Sequence, residues 1–289
     1  MYKIYLDQNF VSDITKIDDP VKSLKIKPEI KVLYKLIVEA VVANKIIIPF
    51  SPIHCLESLN KNDFQLRQLI FEKFNNISKI RFRESKNIRE QVFIYYALNY
   101  FGKKFGVSLD DIYINRNDDD FQKFWFSQQN IQERMLNDIV DKIIDSPQML
   151  QDIRVGRVNS YNQYECEITS QKKDYQELAN REKFLFERYD LTLENIYQFI
   201  NSEKFQKIPN VDIFCKLWGT DLANTARKGQ KGDENDIEIL SVYAPYCDIV
   251  ATDNHKRALM QSLKIDIDYD IEIFSMNNIK ELLDKIKKI

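Results

Sequence analysis

Apolar positions fall into short strand-like runs and longer helix-like periods, and the two alternate near both ends of the chain. Residues 2–6 form a run of strand-favouring residues, and residues 45–50 form a second run around three consecutive isoleucines. Between them, residues 29–44 carry apolar side chains at helical spacing, and Asn44 is typical of a helix end. Strand, helix and strand in this order predict a parallel crossover.

A helix-start signal follows the second run. Ser51-Pro52 combines a capping serine with a proline at the first helical position, where the missing N–H does no harm. Helical spacing continues to Phe74, and residues 80–82 form a third short strand candidate. The N-terminal part therefore predicts alternating strands and helices.

The C-terminal part repeats this alternation. A helix is predicted from about residue 236 to 244, then a buried strand at 248–251 and a helix through 258–263. Residues 265–274 alternate apolar and acidic side chains, which predicts a strand with one wet face. An amphipathic helix at 279–286 closes the pattern.

The middle of the chain shows helical patterns and no strand pattern, with one long helical period at 121–143. The simplest architecture is an α/β domain built from residues 1–85 and 219–289, carrying an all-helical insertion at 86–218. Its sheet is expected to be parallel and flanked by helices.

Composition supports a folded protein and gives little direct sign of a partner. The 289 residues are 44% hydrophobic and include only 6 Gly and 7 Pro, which suits a compact core rather than flexible linkers. A net charge of −2 does not indicate nucleic-acid binding, so any such partner must be held locally. Four cysteines without paired spacing are expected to be buried free thiols. No signal peptide or bilayer-length apolar run is evident, so we expect a cytoplasmic protein without a membrane partner.

Candidate chemistry lies in four acidic residues at the ends of predicted core strands or in neighbouring helices. They are Asp7, Glu57, Asp236 and Asp253. Loops at the carboxyl ends of parallel strands converge, so four carboxylates from four segments can meet there. Clustered carboxylates repel one another, and a hard divalent cation with oxygen ligands relieves that repulsion.

The order of these acids resembles the PIN-like nuclease family. Asp7-Gln8-Asn9 is similar to its first motif, an Asp-x-Asn after strand one, and Glu57 matches the glutamate in the helix after strand two. Asp236 matches the aspartate that opens a later helix, and Thr252-Asp253 resembles the closing Thr-Asp element. The resemblance covers roughly residues 1–85 and 220–289.

The resemblance implies a metal-dependent endonuclease that hydrolyses phosphodiester bonds, most often in RNA, with Mg²⁺ or Mn²⁺. Asp7 would be the central ligand, Asp236 and Asp253 would complete the site, and Glu57 would be a ligand or would orient water. The biological role, as toxin, anti-phage effector or RNA-processing enzyme, stays open.

Further side chains are assigned supporting roles. Asn9 and Thr252 are expected to hold the ligating carboxylates in place, and Asp233 to cap the helix near Asp236. His54 lies one helical turn before Glu57 and is a candidate substrate contact. Five basic residues are candidates for gripping phosphates, namely Arg227, Lys228, Lys231, Lys256 and Arg257.

Each assignment has a structural alternative. Asp7 and Asp253 are also suited to capping a helix or a turn, and the basic residues to an ordinary solvated loop. Haloacid dehalogenase chemistry is disfavoured because Asn9 stands where it needs a second aspartate, and a dinucleotide-binding fold lacks its glycines. A flap-type DNA nuclease, or a non-catalytic scaffold that binds RNA, protein or its own copy through the helical insertion, remains as an alternative.

Overall fold

The structure is a computed structural model of the chain. It describes residues 1–51, 64–78, 80–83, 85–104, 106, 112–115, 163–224 and 233–289. The helix predicted to begin at Ser51-Pro52 and the helical period at 121–143 lie outside the described residues.

Strands and helices alternate at both ends of the chain, as the sequence predicts. The strands are β1 (Tyr2–Leu6), β2 (Ile46–Ile47), β3 (Ile80–Phe82), β4 (Tyr113–Asn115), β5 (Ile249–Ala251) and β6 (Glu272–Phe274). The helices are α1 (Gln8–Thr15), α2 (Pro28–Val42), α3 (Phe64–Ile77), α4 (Ser85–Tyr100), α5 (Gln163–Arg181), α6 (Lys183–Glu187), α7 (Leu193–Ile200), α8 (Pro209–Ala223), α9 (Asp233–Tyr243), α10 (Asn254–Ser262), α11 (Ile265–Asp268) and α12 (Ile279–Lys288).

The described elements fall into two compact units. The α/β unit contains all six strands together with α1 to α3 and α10 to α12, and the helical unit contains α4 to α9. α9, which the sequence pattern joined to the α/β domain, groups with the other helices of the second unit.

A four-stranded parallel sheet forms the centre of the α/β unit, in the order β2-β1-β5-β6. In its register Leu6 lies opposite Ala251, and Ala251 lies opposite Phe274. β1, β5 and β6 therefore end level with one another at one edge of the sheet, and β2 runs in the same direction but ends opposite Lys3. The predicted α/β class and the parallel sheet are confirmed.

A second, two-stranded sheet pairs β3 with β4 in antiparallel fashion. The backbone of Phe50 donates to the Ile80 carbonyl and accepts from the Phe82 amide, which places β3 beside the chain that follows β2. The third predicted strand is thus confirmed. The expectation of an all-helical insertion at 86–218 is wrong, because β4 lies within those residues.

α2 shows why the sequence folds in this way. Its apolar positions Ile30, Leu33 and Ile37 recur at helical spacing and are fully buried. They belong to one core cluster with Ile4 of β1 and Ile249 of β5. The helix ends at the predicted place, since Asn44 adopts the left-handed conformation that follows many helix C-termini.

The predicted strand at 265–274 is only partly correct. Its first half is the short helix α11, and only Glu272–Phe274 is extended. Ile265 is buried whereas Ile267 is 73% exposed, so the alternation does not mark one buried face. Lys264 and Asp270 have left-handed backbones with φ of 57° and 53°, and these bends separate α11 from its neighbours.

We expect Lys264→Gly to stabilise the protein. Lys264 is exposed and left-handed directly after α10, a position that favours glycine because a Cβ is strained there. The expected gain is about 0.5–1 kcal/mol in unfolding free energy, after allowing for the greater freedom of glycine in the unfolded chain. Urea titration checks it, with exposed Lys280→Gly in α12 as the control that should lose stability. An equal loss in both variants would contradict the prediction.

An aromatic cluster forms part of the core of the helical unit. The ring of Phe93 in α4 packs against Tyr175, Phe186 and Phe199, with centroids between 4.8 and 6.1 Å apart. The Arg89 guanidinium lies 5.8 Å from the centre of the Tyr175 ring. The helical patterns predicted for the middle of the chain are thus confirmed for the segments that carry Phe93 and Tyr175.

Two expectations from composition can be compared with the described residues. None of their helices is both long and apolar enough to cross a bilayer. Cys215 and Cys247 are buried free thiols, as expected. Cys166 is exposed on α5, so the expectation of burial is wrong for this residue.

Candidate functional site

Asp7 lies at the carboxyl edge of the sheet, directly after β1. Its backbone amide donates to the Ala251 carbonyl (2.8 Å), which extends the β1–β5 ladder by one residue. One side-chain oxygen, Oδ1, accepts from the Gln8 amide (2.7 Å) and caps α1. The other, Oδ2, accepts from the Thr252 hydroxyl (3.0 Å). Both carboxylate oxygens are therefore held in fixed positions.

Asp253 follows the neighbouring strand β5, one residue beyond Thr252, which is the position that corresponds to Asp7 in the register. Its Oδ1 atom accepts from the amides of His255 (2.7 Å) and Lys256 (2.9 Å), which caps α10. Its Oδ2 atom accepts no hydrogen bond from the residues that the structure describes. Both aspartates therefore cap a helix, as the structural alternative predicts. Capping uses only the Oδ1 atom of each residue.

The carboxylate of Asp7 is in an unfavourable environment for a charge. Burial raises its pKa above the ordinary aspartate value, and the nearby negative charge of Asp253 raises it further. The hydrogen bonds from Gln8 and Thr252 and the positive charge of Lys256 act in the opposite direction but do not cancel the effect of burial. Two aspartates that follow adjacent strands therefore interact electrostatically.

Lys256 differs from its predicted role at the rim of a cleft. Its side chain is only 1% exposed, so in this conformation it is not available to a phosphate in solution. Arg257 donates from Nε to the Ile273 carbonyl of β6 (3.1 Å), which ties it to the sheet. The other three predicted phosphate contacts, Arg227, Lys228 and Lys231, lie outside the described residues.

The remaining predicted residues are placed as follows. Glu57 and His54 lie outside the described residues. Asp236 is half-buried in the first turn of α9, which begins at Asp233, three residues before the predicted start. Asn9 is exposed in the first turn of α1, and no hydrogen bond of its side chain occurs within the described part of the chain.

Two features of this region were not found by sequence reasoning. The side-chain amide nitrogen and oxygen of Gln8 are both buried, and neither has a hydrogen-bond partner among the residues that the structure describes. The second feature is the burial of the Lys256 side chain. A polar residue beside a candidate acid is a weak signal in sequence, because its burial depends on packing between distant segments.

The donor chemistry here suits a hard divalent cation. Carboxylate oxygens are the preferred ligands of Mg²⁺ and Mn²⁺, and a cation would offset the burial and the repulsion from Asp253 that raise the pKa of Asp7. Within the described ranges, no three His, Cys, Asp or Glu side chains are grouped closely enough to hold a metal. Asp7 and Asp253 are thus a pair of candidate ligands, and Glu57 and Asp236 remain predicted ones.

Comparison of the chain with protein-family models, with curated proteins and with solved structures found no match. The functional interpretation therefore depends on the residues themselves and on their geometry.

Proposed function

We propose that this protein is a PIN-like, metal-dependent endonuclease that hydrolyses phosphodiester bonds, with RNA as the substrate class. The observation that carries the proposal is the placement of Asp7 and Asp253 at the carboxyl ends of adjacent parallel strands, where burial and mutual repulsion raise the pKa of Asp7. Such an arrangement is costly for stability alone and is useful where a cation must be bound.

The two aspartates have different roles in the proposed cation site. Thr252 and the Gln8 amide fix the orientation of the Asp7 carboxylate, so it is ready to act as the central ligand. Asp253 is anchored through Oδ1 by two backbone amides, and its Oδ2 is the atom available for a ligand. Asp236 and Glu57 are the further ligands that the sequence proposes.

Bound Mg²⁺ or Mn²⁺ would supply an activated water and would neutralise charge on the scissile phosphate. The chain supplies the positions of the oxygens and the capped helices α1 and α10, whose N-termini favour negative charge nearby. RNA is proposed over DNA from the resemblance of Asp7-Gln8-Asn9 and Thr252-Asp253 to the family motifs.

Cleavage assays on the full chain test the proposal. Transfer RNA, messenger RNA, single-stranded DNA and flap DNA are incubated with Mg²⁺, with Mn²⁺ and with a chelator. We expect metal-dependent internal cleavage of RNA that requires the 2′-hydroxyl, and loss of that cleavage in Asp253→Asn. Asp248→Asn is the matched control, because Asp248 lies at the opposite end of β5 and accepts from the Lys3 amide.

A second measurement is independent of the substrate. Mn²⁺ is expected to raise the melting temperature of the unmodified protein and of Asp248→Asn, but not of Asp253→Asn, because a ligand that binds only the folded state stabilises it. Absence of both cleavage and a thermal response would overturn the nuclease proposal in favour of a non-catalytic scaffold. Cleavage of flap DNA alone would replace RNA by DNA as the substrate.

A further inference from the structure

The side-chain amide of Gln8 is buried but has no hydrogen-bond partner. Both of its polar atoms, Nε2 and Oε1, are shielded from solvent, and neither is bonded within the part of the chain that the structure describes. Among the described residues, Gln8 is the only one with two such side-chain atoms. Nearly all buried polar groups in proteins are paired, because a buried donor or acceptor without a partner lowers stability. The Gln8 side chain therefore has a donor and an acceptor available to a bound polar ligand.

This amide lies beside the candidate ligand Asp7. Gln8 is the first residue of α1, and its backbone amide donates to Oδ1 of Asp7 at 2.7 Å. The side-chain amide therefore cannot lie further from that carboxylate than a glutamine side chain can reach. The hydroxyl of Thr252 donates to the other oxygen, Oδ2 (3.0 Å). The unpartnered amide thus belongs to the same end of the sheet as the candidate cation site.

The chemistry of the amide matches what a divalent ion and a phosphate bring to such a site. Mg²⁺ dehydrates reluctantly and keeps several water molecules when few carboxylates bind it. Water bound to a cation donates hydrogen bonds, and Oε1 of Gln8 is an acceptor. Phosphate oxygens accept hydrogen bonds, and Nε2 is a donor.

We propose that Gln8 is a binding residue of the candidate cation site: Oε1 accepts from water that the bound ion retains, and Nε2 donates to an oxygen of the substrate phosphate. The amide completes its hydrogen bonds only when the ion and the substrate are bound. This inference rests on the proposed function and adds a neutral residue to its four acids.

Gln8→Met isolates the side-chain amide. Methionine has nearly the size and the helix propensity of glutamine, and the backbone amide of residue 8 still donates to Asp7. With a chelator present, we expect the melting temperature to rise by at least about 2 °C, because two buried atoms without partners are removed. A melting temperature that does not rise, or failure to fold, would overturn the proposal, since the amide would then already stabilise the metal-free protein.

Gln261→Met is the matched control for this substitution. Gln261 is exposed in α10, and its replacement should shift the melting temperature by less than about 1 °C. A rise in Gln261→Met equal to that in Gln8→Met would show that the gain comes from methionine itself and would overturn the interpretation of the Gln8 amide.

Calorimetric titration with Mn²⁺ tests the contact with the ion. We expect binding at least about tenfold weaker in Gln8→Met than in the unmodified protein, because groups that hydrogen-bond around a metal contribute strongly to its affinity. Gln261→Met should bind as the unmodified protein does. Equal binding by Gln8→Met and the unmodified protein would overturn the inference and leave the proposed function standing. Absence of Mn²⁺ binding in the unmodified protein would refute the proposed metal site and the inference with it.

Gln8→Glu separates the acceptor from the donor. Glutamate keeps an acceptor oxygen but replaces the donor with a second oxygen, which repels a phosphate. We expect Mn²⁺ to bind at least as tightly as in the unmodified protein, whereas RNA cleavage at saturating Mn²⁺ should fall by at least about tenfold through a higher KM. Weaker Mn²⁺ binding, or unchanged cleavage, would overturn the assigned contacts. Mn²⁺ binding without RNA cleavage in the unmodified protein would refute the phosphate contact together with the nuclease proposal, and Gln8→Met would still decide the contact with the ion.

Discussion

Replacement of Asp7 by asparagine is expected to lower the cleavage rate by at least about a hundredfold and, without metal at neutral pH, to raise the melting temperature. Loss of a group that only orients a metal ligand typically costs 10–100-fold, so loss of a ligand should cost at least as much. The gain in stability follows from removing a charge that burial and Asp253 disfavour. Asparagine keeps an oxygen for the Gln8 amide and caps helices as well as aspartate does.

The stability gain should depend on pH in a defined direction. The pKa of Asp7 is higher in the folded state than in the unfolded chain. Between these two pKa values the folded protein binds more protons than the unfolded chain, so it loses stability as the pH rises from the lower value to the higher one. The advantage of Asp7→Asn is therefore fully present above the folded-state pKa. It shrinks on acidification and is absent below the ordinary aspartate pKa of about 3.9.

Melting temperatures of both proteins between pH 7 and pH 4, measured with a chelator, check this expectation. Asp248→Asn again serves as the control, because Asp248 is exposed and accepts from the Lys3 amide, so removal of its charge should bring no gain. A less stable Asp7→Asn protein at pH 7, or a difference that grows on acidification, would show that Asp7 serves mainly to stabilise the fold. If Asp7 is a functional acid, its replacement should lower the cleavage rate and raise the stability of the fold.

The parts of the fold that were predictable are those with a strong local pattern. β1 and β5 are short apolar runs with an acid one or two residues after their ends, and α2 has a long helical period with a typical end at Asn44. The parallel sheet follows from the order of these elements. Asp7 and Asp253 were found for the same reason, since the residue after a buried parallel strand reaches the sheet edge where ligands bind.

The features that were missed depend on contacts between distant segments. β4 has only three residues and is a strand because it pairs with β3, not because of its own pattern. The alternation before β6 was misleading because left-handed bends at Lys264 and Asp270 interrupt it. The burial of Lys256 is likewise a result of packing. Sequence located the acids, whereas the charge balance around them required coordinates.

Truncation of a core side chain that packs near β1 and β5 should lower stability, the opposite of the effect expected for Asp7→Asn. Ile37→Ala is expected to lower the free energy of unfolding by about 2–5 kcal/mol, because it removes a buried branched side chain and leaves a cavity. Ile37 is fully buried in α2, which packs against α1, α3 and α12. Its core cluster includes Leu6 and Ala251, the last residues of β1 and β5.

Val42→Ala on the same helix is the matched control, since Val42 is 71% exposed and its loss should change stability by no more than about 0.5 kcal/mol. Urea titration measures both, with an unchanged slope expected if only stability is altered. A loss below about 1 kcal/mol for Ile37→Ala would show that α2 is not closely packed on the sheet. The Mn²⁺ response of the folded Ile37→Ala protein should persist, because the core sets where the strands end and Asp7 and Asp253 supply the ligands. The two substitutions therefore distinguish the core from the site. Ile37→Ala should lower stability and keep Mn²⁺ binding, whereas Asp7→Asn should raise stability and abolish Mn²⁺ binding.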